Sequence, residues 1–428
     1  MAEATQSGQG LQAELTPRRI RTVEIALGVT FFFQAVAALT SLPRIPEFIA
    51  QLHVSFTIWG AVIGFSGIGS LLPLIFTNRL INRYGAKRVL RISSVAIPAI
   101  IMSLPWTNNP WVFFILYFFQ SLSFSTFNIA LNSQAVNFQR RVGKILLGRF
   151  HGLWSTGAAM SAAVSGVLAS FVPLKLHMFV IPAICAVAFQ IANRFLLKMG
   201  EDGHQRDGGP AAKLSWFKSP KRLWFLALGL FAGMWPELVM MDWSTVYSKK
   251  ILLTNATTGT LPYTVFVMAM IAGRFSLRRL SRDRHTSTVS KWGGYAGSVS
   301  MAAAFFGGAA LMPVSPSLSL AVTVTFLAVA GFGVSSMVPS FYSVAGEIKQ
   351  LNTAATLSRM SLANALMVMF AKYLMGAFAQ NVNLVAAMVF PVATFFIAGV
   401  ISSVVVKRFS PNQTAYPPTG PITTLDVE

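Results

Sequence analysis

The chain is poor in acidic residues, poor in charge of either sign, and nearly free of cysteine. Only 13 of its 428 residues are Asp or Glu, and charged residues make up 11%, where ordinary soluble domains carry about 25%. That scarcity excludes a soluble globular protein, and with 54% hydrophobic residues the composition is that of a membrane protein. The single cysteine, Cys185, lies inside an apolar run, which excludes a disulfide framework and a cysteine metal cluster. Also missing are a Gly-rich phosphate loop ending in Lys and Ser or Thr, histidines paired at metal spacing, and a nucleophile elbow. No enzymatic or ATP-driven activity, cofactor or metal is therefore expected.

Basic residues are plentiful, 34 for a formal net charge of +21. They stand in short clusters between long apolar runs instead of on one soluble patch, so nucleic acid is not an expected partner. The bilayer is. Runs long enough for the roughly 20 residues that cross its hydrocarbon core fall near 24–42, 57–78, 89–106, 111–136, 149–171 and 176–196, and again near 223–247, 258–276, 290–312, 317–345, 358–379 and 383–406. The first is read as a retained span, because the polar segment before it lacks the organisation of a cleavable signal.

Twenty-nine of the basic residues fall in the two tails and in alternate loops; the opposite loops hold only Arg44, Lys175, Lys249 and Lys250, and Lys372 sits within a span. The positive-inside rule then places both termini on the cytoplasmic side of the cytoplasmic (inner) membrane. The expected organisation is a disordered N-tail over 1–22, a six-helix bundle over 23–199, a linker over 200–221, a second six-helix bundle over 222–407 and a disordered C-tail over 408–428. A weak repeat between "ALGVTFFFQAVAALTSLPRIP" from Ala26 and "ALGLFAGMWPELVMMDWSTVY" from Ala227 aligns the first span with the seventh. Six spans per half give both copies the same orientation, the parallel-repeat architecture in which solute sits near the midplane between bundles.

Two carboxylates interrupt the seventh span, Glu237 and Asp242 in "PELVMMDWSTVY". An acid at the bilayer centre costs about 2.5–3.5 kcal/mol on insertion scales, so each needs a purpose. They lie about 140° apart around a helix and about 7.5 Å along it, hence on different faces, and Pro236 between Trp235 and Glu237 can bend the helix. A carboxyl at this depth can take up and release a proton as its surroundings change, the chemistry of proton coupling. Lys372, in the eleventh span, is the expected partner of Asp242, which leaves that acid either a structural partner or a coupling group. Glu237 is the stronger candidate for function. His151, which opens the fifth span, is a third candidate for proton transfer because histidine titrates near neutrality.

Ser121, Ser125, Asn128 and Asn132 form one stripe of the fourth span. Asn128 and Asn132 suit a hydroxyl-bearing solute, since amides donate and accept, while the serines fit helix packing. Gln34 and Trp235 occupy equivalent repeat positions and are read as opposite cavity walls, the tryptophan offering a stacking face. Arg44, in "LPRIPEF", is expected to form a solvated pair with Glu47.

The loop "NRLINRYGAKRVLR" over 78–91 resembles the signature loop of the major facilitator superfamily through Leu80, Arg83, Gly85, Lys87 and Arg88, with Asn78 and Asn82 replacing the usual glycine and aspartate. The resemblance implies the major facilitator fold, all-α with twelve transmembrane helices, and a cytoplasmic gate loop at Asn82, Arg83, Gly85, Lys87 and Arg88, weakened or rebuilt where Asn82 replaces the acid. "ALNSQAV", "RFHGLWSTGA" and "DWSTVY" resemble the bacterial branch related to the fucose:proton symporter group. The expected function is secondary active transport of a small polar organic solute, sugar or nucleoside-like as a first guess, by proton-coupled alternating access in a monomer. Proton-driven efflux of amphipathic compounds and a solute-binding membrane sensor are the alternatives.

Overall fold

A computed structural model describes residues 15–143, 146–199, 201, 220–281, 286–346 and 353–409. Every regular element among them is a helix, and twelve helices are long and apolar enough to cross a bilayer. Spans one to six are Pro17–Gln51, Phe56–Tyr84, Ala86–Trp106, Pro110–Val142, Leu147–Ala169 and Leu174–Phe195. Spans seven to twelve are Lys221–Lys250, Thr258–Leu277, Thr286–Leu311, Pro316–Ala345, Arg359–Asn381 and Leu384–Lys407. Each overlaps a run expected from hydropathy.

The first helix starts earlier than expected, at Pro17, within the stretch 1–22 assigned to a tail. The local sequence explains it. The Thr16 hydroxyl accepts from the Arg19 amide at 3.3 Å, and proline at the first helical position has no N–H to leave unsatisfied. Most of the linker 200–221 and of the C-tail 408–428 lies outside the described residues.

Contacts divide the chain into two compact units, residues 1–53 with 65–211 and residues 54–64 with 212–428. In the first, span one packs against spans five and six, and span three against spans four and six. In the second, span seven packs against eleven and twelve, and span nine against ten and twelve. The same pairings recur six spans later, so the repeat seen faintly in the letters is explicit in the packing.

Residues 54–64 depart from the expected partition, grouping with the second unit although they open the second span. Small residues account for this. A Cβ built on Gly60 would lie 2.6 Å from the Lys372 carbonyl oxygen and 3.0 Å from the Gly376 Cα, so the two backbones touch as only glycine permits. The Phe56 amide donates to the Gln380 Oε1 at 3.0 Å, and the Phe56 ring meets Trp243 edge-on at 5.7 Å.

Span seven runs unbroken from Lys221 to Lys250 through Pro236. Span nine contains one widened π-turn over Ala303–Gly307. Such turns expose backbone carbonyls, and here the Tyr247 hydroxyl donates to the Phe305 carbonyl at 2.5 Å.

Candidate functional site

The second unit gives each acid of span seven its own cation. Lys372 Nζ lies 2.8 Å from Asp242 Oδ2, with both side chains less than one-fifth exposed, which is the pairing expected from the sequence. The partner of Glu237 was not expected. Arg274 Nη2 stands 3.8 Å from Glu237 Oε2, within ion-pair range but beyond hydrogen-bond reach. Arg274 falls inside the expected span 258–276 but belongs by composition to the basic cluster that follows; span eight runs to Leu277, so Arg274 lies within the membrane-spanning segment. Lys372 is therefore not the single cation within a span, and each acid has its own partner.

The two pairs differ in closeness and access. Arg274 is 40% exposed and Glu237 21%, against 18% for Lys372 and 16% for Asp242. Tyr263, at the start of span eight, is 3% exposed. Asn364 lies eight residues before Lys372 and so on the same helical face. It is 8% exposed and donates to the Met234 sulfur at 3.5 Å, while its Oδ1 has no partner among the described residues. The sequence reading passed over it; an asparagine in an apolar helix, two turns from the one lysine, was the available signal.

Trp235 does not present a stacking face. It is 2% exposed and packs at 32° to Phe231, with ring centroids 5.8 Å apart. Its place is in packing, with its neighbours on that face one turn either way, Ala232 and Val239, also buried.

The first unit gathers neutral amides. Gln34 Nε2 donates to Asn128 Oδ1 at 3.3 Å, and Asn132 Nδ2 donates to the same oxygen at 3.1 Å and to the Asn128 carbonyl at 2.9 Å. Gln34 is buried, and its Oε1 has no partner among the described residues. Asn128 is exposed. Ser125 donates instead to the Ser70 carbonyl at 2.8 Å, a packing role. His151 is exposed and meets the Phe31 ring edge-on at 5.3 Å.

Arg44 is not solvated. It is 2% exposed, and although it holds Glu47 at 2.7 Å, it also donates to His177 Nδ1 at 2.9 Å and to the Val172 carbonyl at 2.5 Å. Weaker bonds reach the Leu168 and Ala169 carbonyls at the end of span five, where a cation is favoured. A guanidinium only donates, so Nδ1 of His177 accepts and Nε2 carries the hydrogen toward Thr40 Oγ1 at 3.2 Å. Those carbonyls are more than 120 residues away in sequence, which is why a local reading found only Glu47.

The signature loop closes on span six. Gly85, at φ 80°, ends one helix and begins the next in a conformation that favours glycine. Lys87 Nζ then donates to the Arg194 and Leu196 carbonyls at 2.7 and 3.0 Å, satisfying the C-terminal end of that span. Asn82 is half-buried, the Arg83 guanidinium lies 5.2 Å over the Tyr84 ring, and Arg88 is exposed. Arg19 donates to the Phe195 carbonyl at 2.8 Å and pairs with Glu201 at 2.9 Å. Burial pushes the Glu201 carboxyl's pKa up, but hydrogen bonds from the Lys198 amide and Arg19 outweigh it and hold the group below the usual carboxylate range. Among the described residues no three His, Cys, Asp or Glu side chains are grouped to hold a metal.

Twelve spans, a packing pattern repeated after six, and charge pairs within the spans define a polytopic membrane protein of the solute-transporter type. The chain belongs to the Major Facilitator Superfamily, whose family model matches residues 26–358, and has the major facilitator fold of two parallel-repeat six-helix bundles. It is 25% identical over 327 residues to an MFS-type transporter of Yersinia pestis, covering 76% of this chain and 80% of that protein. It is 21% identical over 368 residues to the membrane protein MosC of Rhizobium meliloti, covering 86% of each. Among solved structures it superposes on the nucleoside transporter NupG with a TM-score of 0.69 at 14% identity, covering 91% of this chain and 99% of that one. A bacterial homologue of the lysosomal transporter Spinster, in an inward-facing and occupied conformation, matches with a TM-score of 0.67 at 13% identity, over 92% of this chain and 98% of that one.

Proposed function

We propose that this transporter moves a small polar organic solute across the cytoplasmic membrane by proton-coupled alternating access, with both termini cytoplasmic and Glu237 as the coupling acid. The observation that carries the reading is the contrast between the 2.8 Å Asp242–Lys372 pair and the 3.8 Å Glu237–Arg274 pair. Asp242, in hydrogen-bond contact with Lys372, is assigned to structure. Glu237, loosely held and within reach of solvent, can exchange its ionic partner for a proton at smaller cost. The amides of Gln34, Asn128 and Asn132 match the donor and acceptor pattern of a sugar or nucleoside, and the fold shared with a nucleoside transporter supports starting with nucleosides. His151, exposed at the start of span five, is a secondary relay candidate.

The test is solute-dependent proton movement in proteoliposomes, with sugars, nucleosides, carboxylates and lipophilic cations offered to the wild type and to Glu237→Gln. Proton entry with one solute class, lost in the variant, is expected. Undiminished coupled flux in Glu237→Gln would remove Glu237 from the mechanism and move the search to Asp242 and His151. Movement of lipophilic cations against the proton flow would replace uptake by efflux.

A further inference from the structure

The two adjacent basic residues of the signature loop point to different tasks. Lys87 is occupied by the carbonyls at the end of span six. Arg88, about 100° further round the same helix, turns away from them, is exposed, and has no hydrogen-bond or ion-pair partner among the described residues. It stands at the mouth of a cleft of about 460 Å³ between spans two, three and four, walled by Phe76, Leu80, Ile92, Ala96 and Leu122.

The floor of this cleft is mostly apolar. Of the three Ser and Thr residues that line it, Ser93 Oγ is spent on the Val89 carbonyl and Thr126 Oγ1 on the Leu122 carbonyl, each at 2.8 Å, which leaves Ser123, only 8% exposed. One small buried hydroxyl gives a hydrophilic solute little to hold, whereas the apolar walls suit a hydrocarbon chain. The mouth has the opposite chemistry. Arg88 lies in the first turn of span three, at the membrane surface, beside Tyr84, which is 40% exposed and carries the Arg83 guanidinium over its ring. A tyrosine with arginines at headgroup depth above an apolar cleft complements a molecule with an anionic head and an apolar tail.

We propose that the cleft is a binding site for an anionic phospholipid of the leaflet on the basic-loop side, its phosphate held by Arg88 with Arg83 alongside and one acyl chain lying between spans two, three and four. The signature loop is then both a helix-end clamp, through Lys87, and a lipid sensor, through Arg88.

The experiment is native mass spectrometry of the full-length protein, exchanged into micelles containing phosphatidylglycerol or phosphatidylcholine of matched acyl chains. Wild type is expected to retain phosphatidylglycerol over phosphatidylcholine. Arg88→Gln is expected to lower that preference about fivefold, the effect of one basic residue at an anionic surface, and Ala96→Trp, which fills the cleft, to lower retention of both lipids. Arg91→Gln, exposed on the same helix but outside the cleft, serves as the control for general charge and should match wild type. The proposal is overturned if Arg88→Gln and Ala96→Trp retain lipid as wild type does, or if Arg91→Gln loses as much as Arg88→Gln. Displacement of the lipid by glycerol 3-phosphate, a head without a tail, would likewise overturn it in favour of a simple phosphate site.

Discussion

Two carboxylates on one helix meet two cations, and only one pair is in hydrogen-bond contact. Asp242 and Lys372 touch at 2.8 Å with both side chains mostly shielded, while Glu237 and Arg274 stand 3.8 Å apart with the arginine 40% exposed. The difference follows from placement. Asp242 faces span eleven, where the backbone contact of Gly60 with Lys372 and Gly376 leaves little freedom. Glu237 faces span eight, where Arg274 lies near the helix end and its long side chain can also reach water. Burial with a close partner makes a charge structural, and access with a loose partner leaves it free to change state.

The largest effect is expected from breaking the tight pair. Lys372→Met leaves Asp242 uncompensated and should cost on the order of 3 kcal/mol of stability, read by thermal unfolding in detergent, and the double variant with Asp242→Asn should recover most of it. If the losses of the two single variants simply add in the double variant, the two charges act independently. The loose pair should behave in the opposite way. Glu237→Gln is expected to change stability by no more than about 1 kcal/mol while abolishing coupled proton movement, so a large stability loss there would erase the contrast. Between binding and coupling the comparison sharpens with Asn128→Ala, which should weaken solute binding roughly tenfold, the worth of one hydrogen bond, without decoupling the proton.

The smallest effect belongs to Glu201. Its folded carboxyl lies below the ordinary value of 4.5, so its contribution is whole above that value and fades as pH falls through the lower folded value. Glu201→Gln should be destabilised by about 0.5 kcal/mol near neutrality, and the gap to wild type should close as pH falls through the lower folded value. A gap that persists in acid would assign the loss to the hydrogen-bond geometry and not to the charge.

Much of this was legible in the sequence because a bilayer imposes simple rules. Apolar length located the spans, and Asp242 and Lys372 could be paired on paper because both interrupt apolar helices. The spacing of Asn128 and Asn132 placed them on one stripe of the fourth span, where the structure finds them hydrogen-bonded. Arg274 was misread because it ends an apolar run next to a basic loop, where composition alone cannot say which side of the boundary a residue takes. Arg44 was misread because its partners, the last carbonyls of span five and His177, are distant in sequence. Trp235 looked like a cavity wall by repeat position, but a repeat aligns helices and not the rotation of each face. The contact of Gly60 with Gly376 had no signal in periodicity, since glycine carries no side chain to pattern.

The widened turn at Ala303–Gly307 sets the phase of span nine. An extra residue in one turn lets the remainder of a helix lag by about 100° relative to an uninterrupted one. Before the turn, Gly294 nestles against Gly399 of span twelve; after it, Gly308 meets Thr323 of span ten. The turn thus works as an angular offset between two docking partners, with the Tyr247 hydroxyl on Phe305 as its pin. Deleting a single residue there would straighten the helix and still misdirect everything beyond it, so this stretch tolerates substitution far better than a change of length.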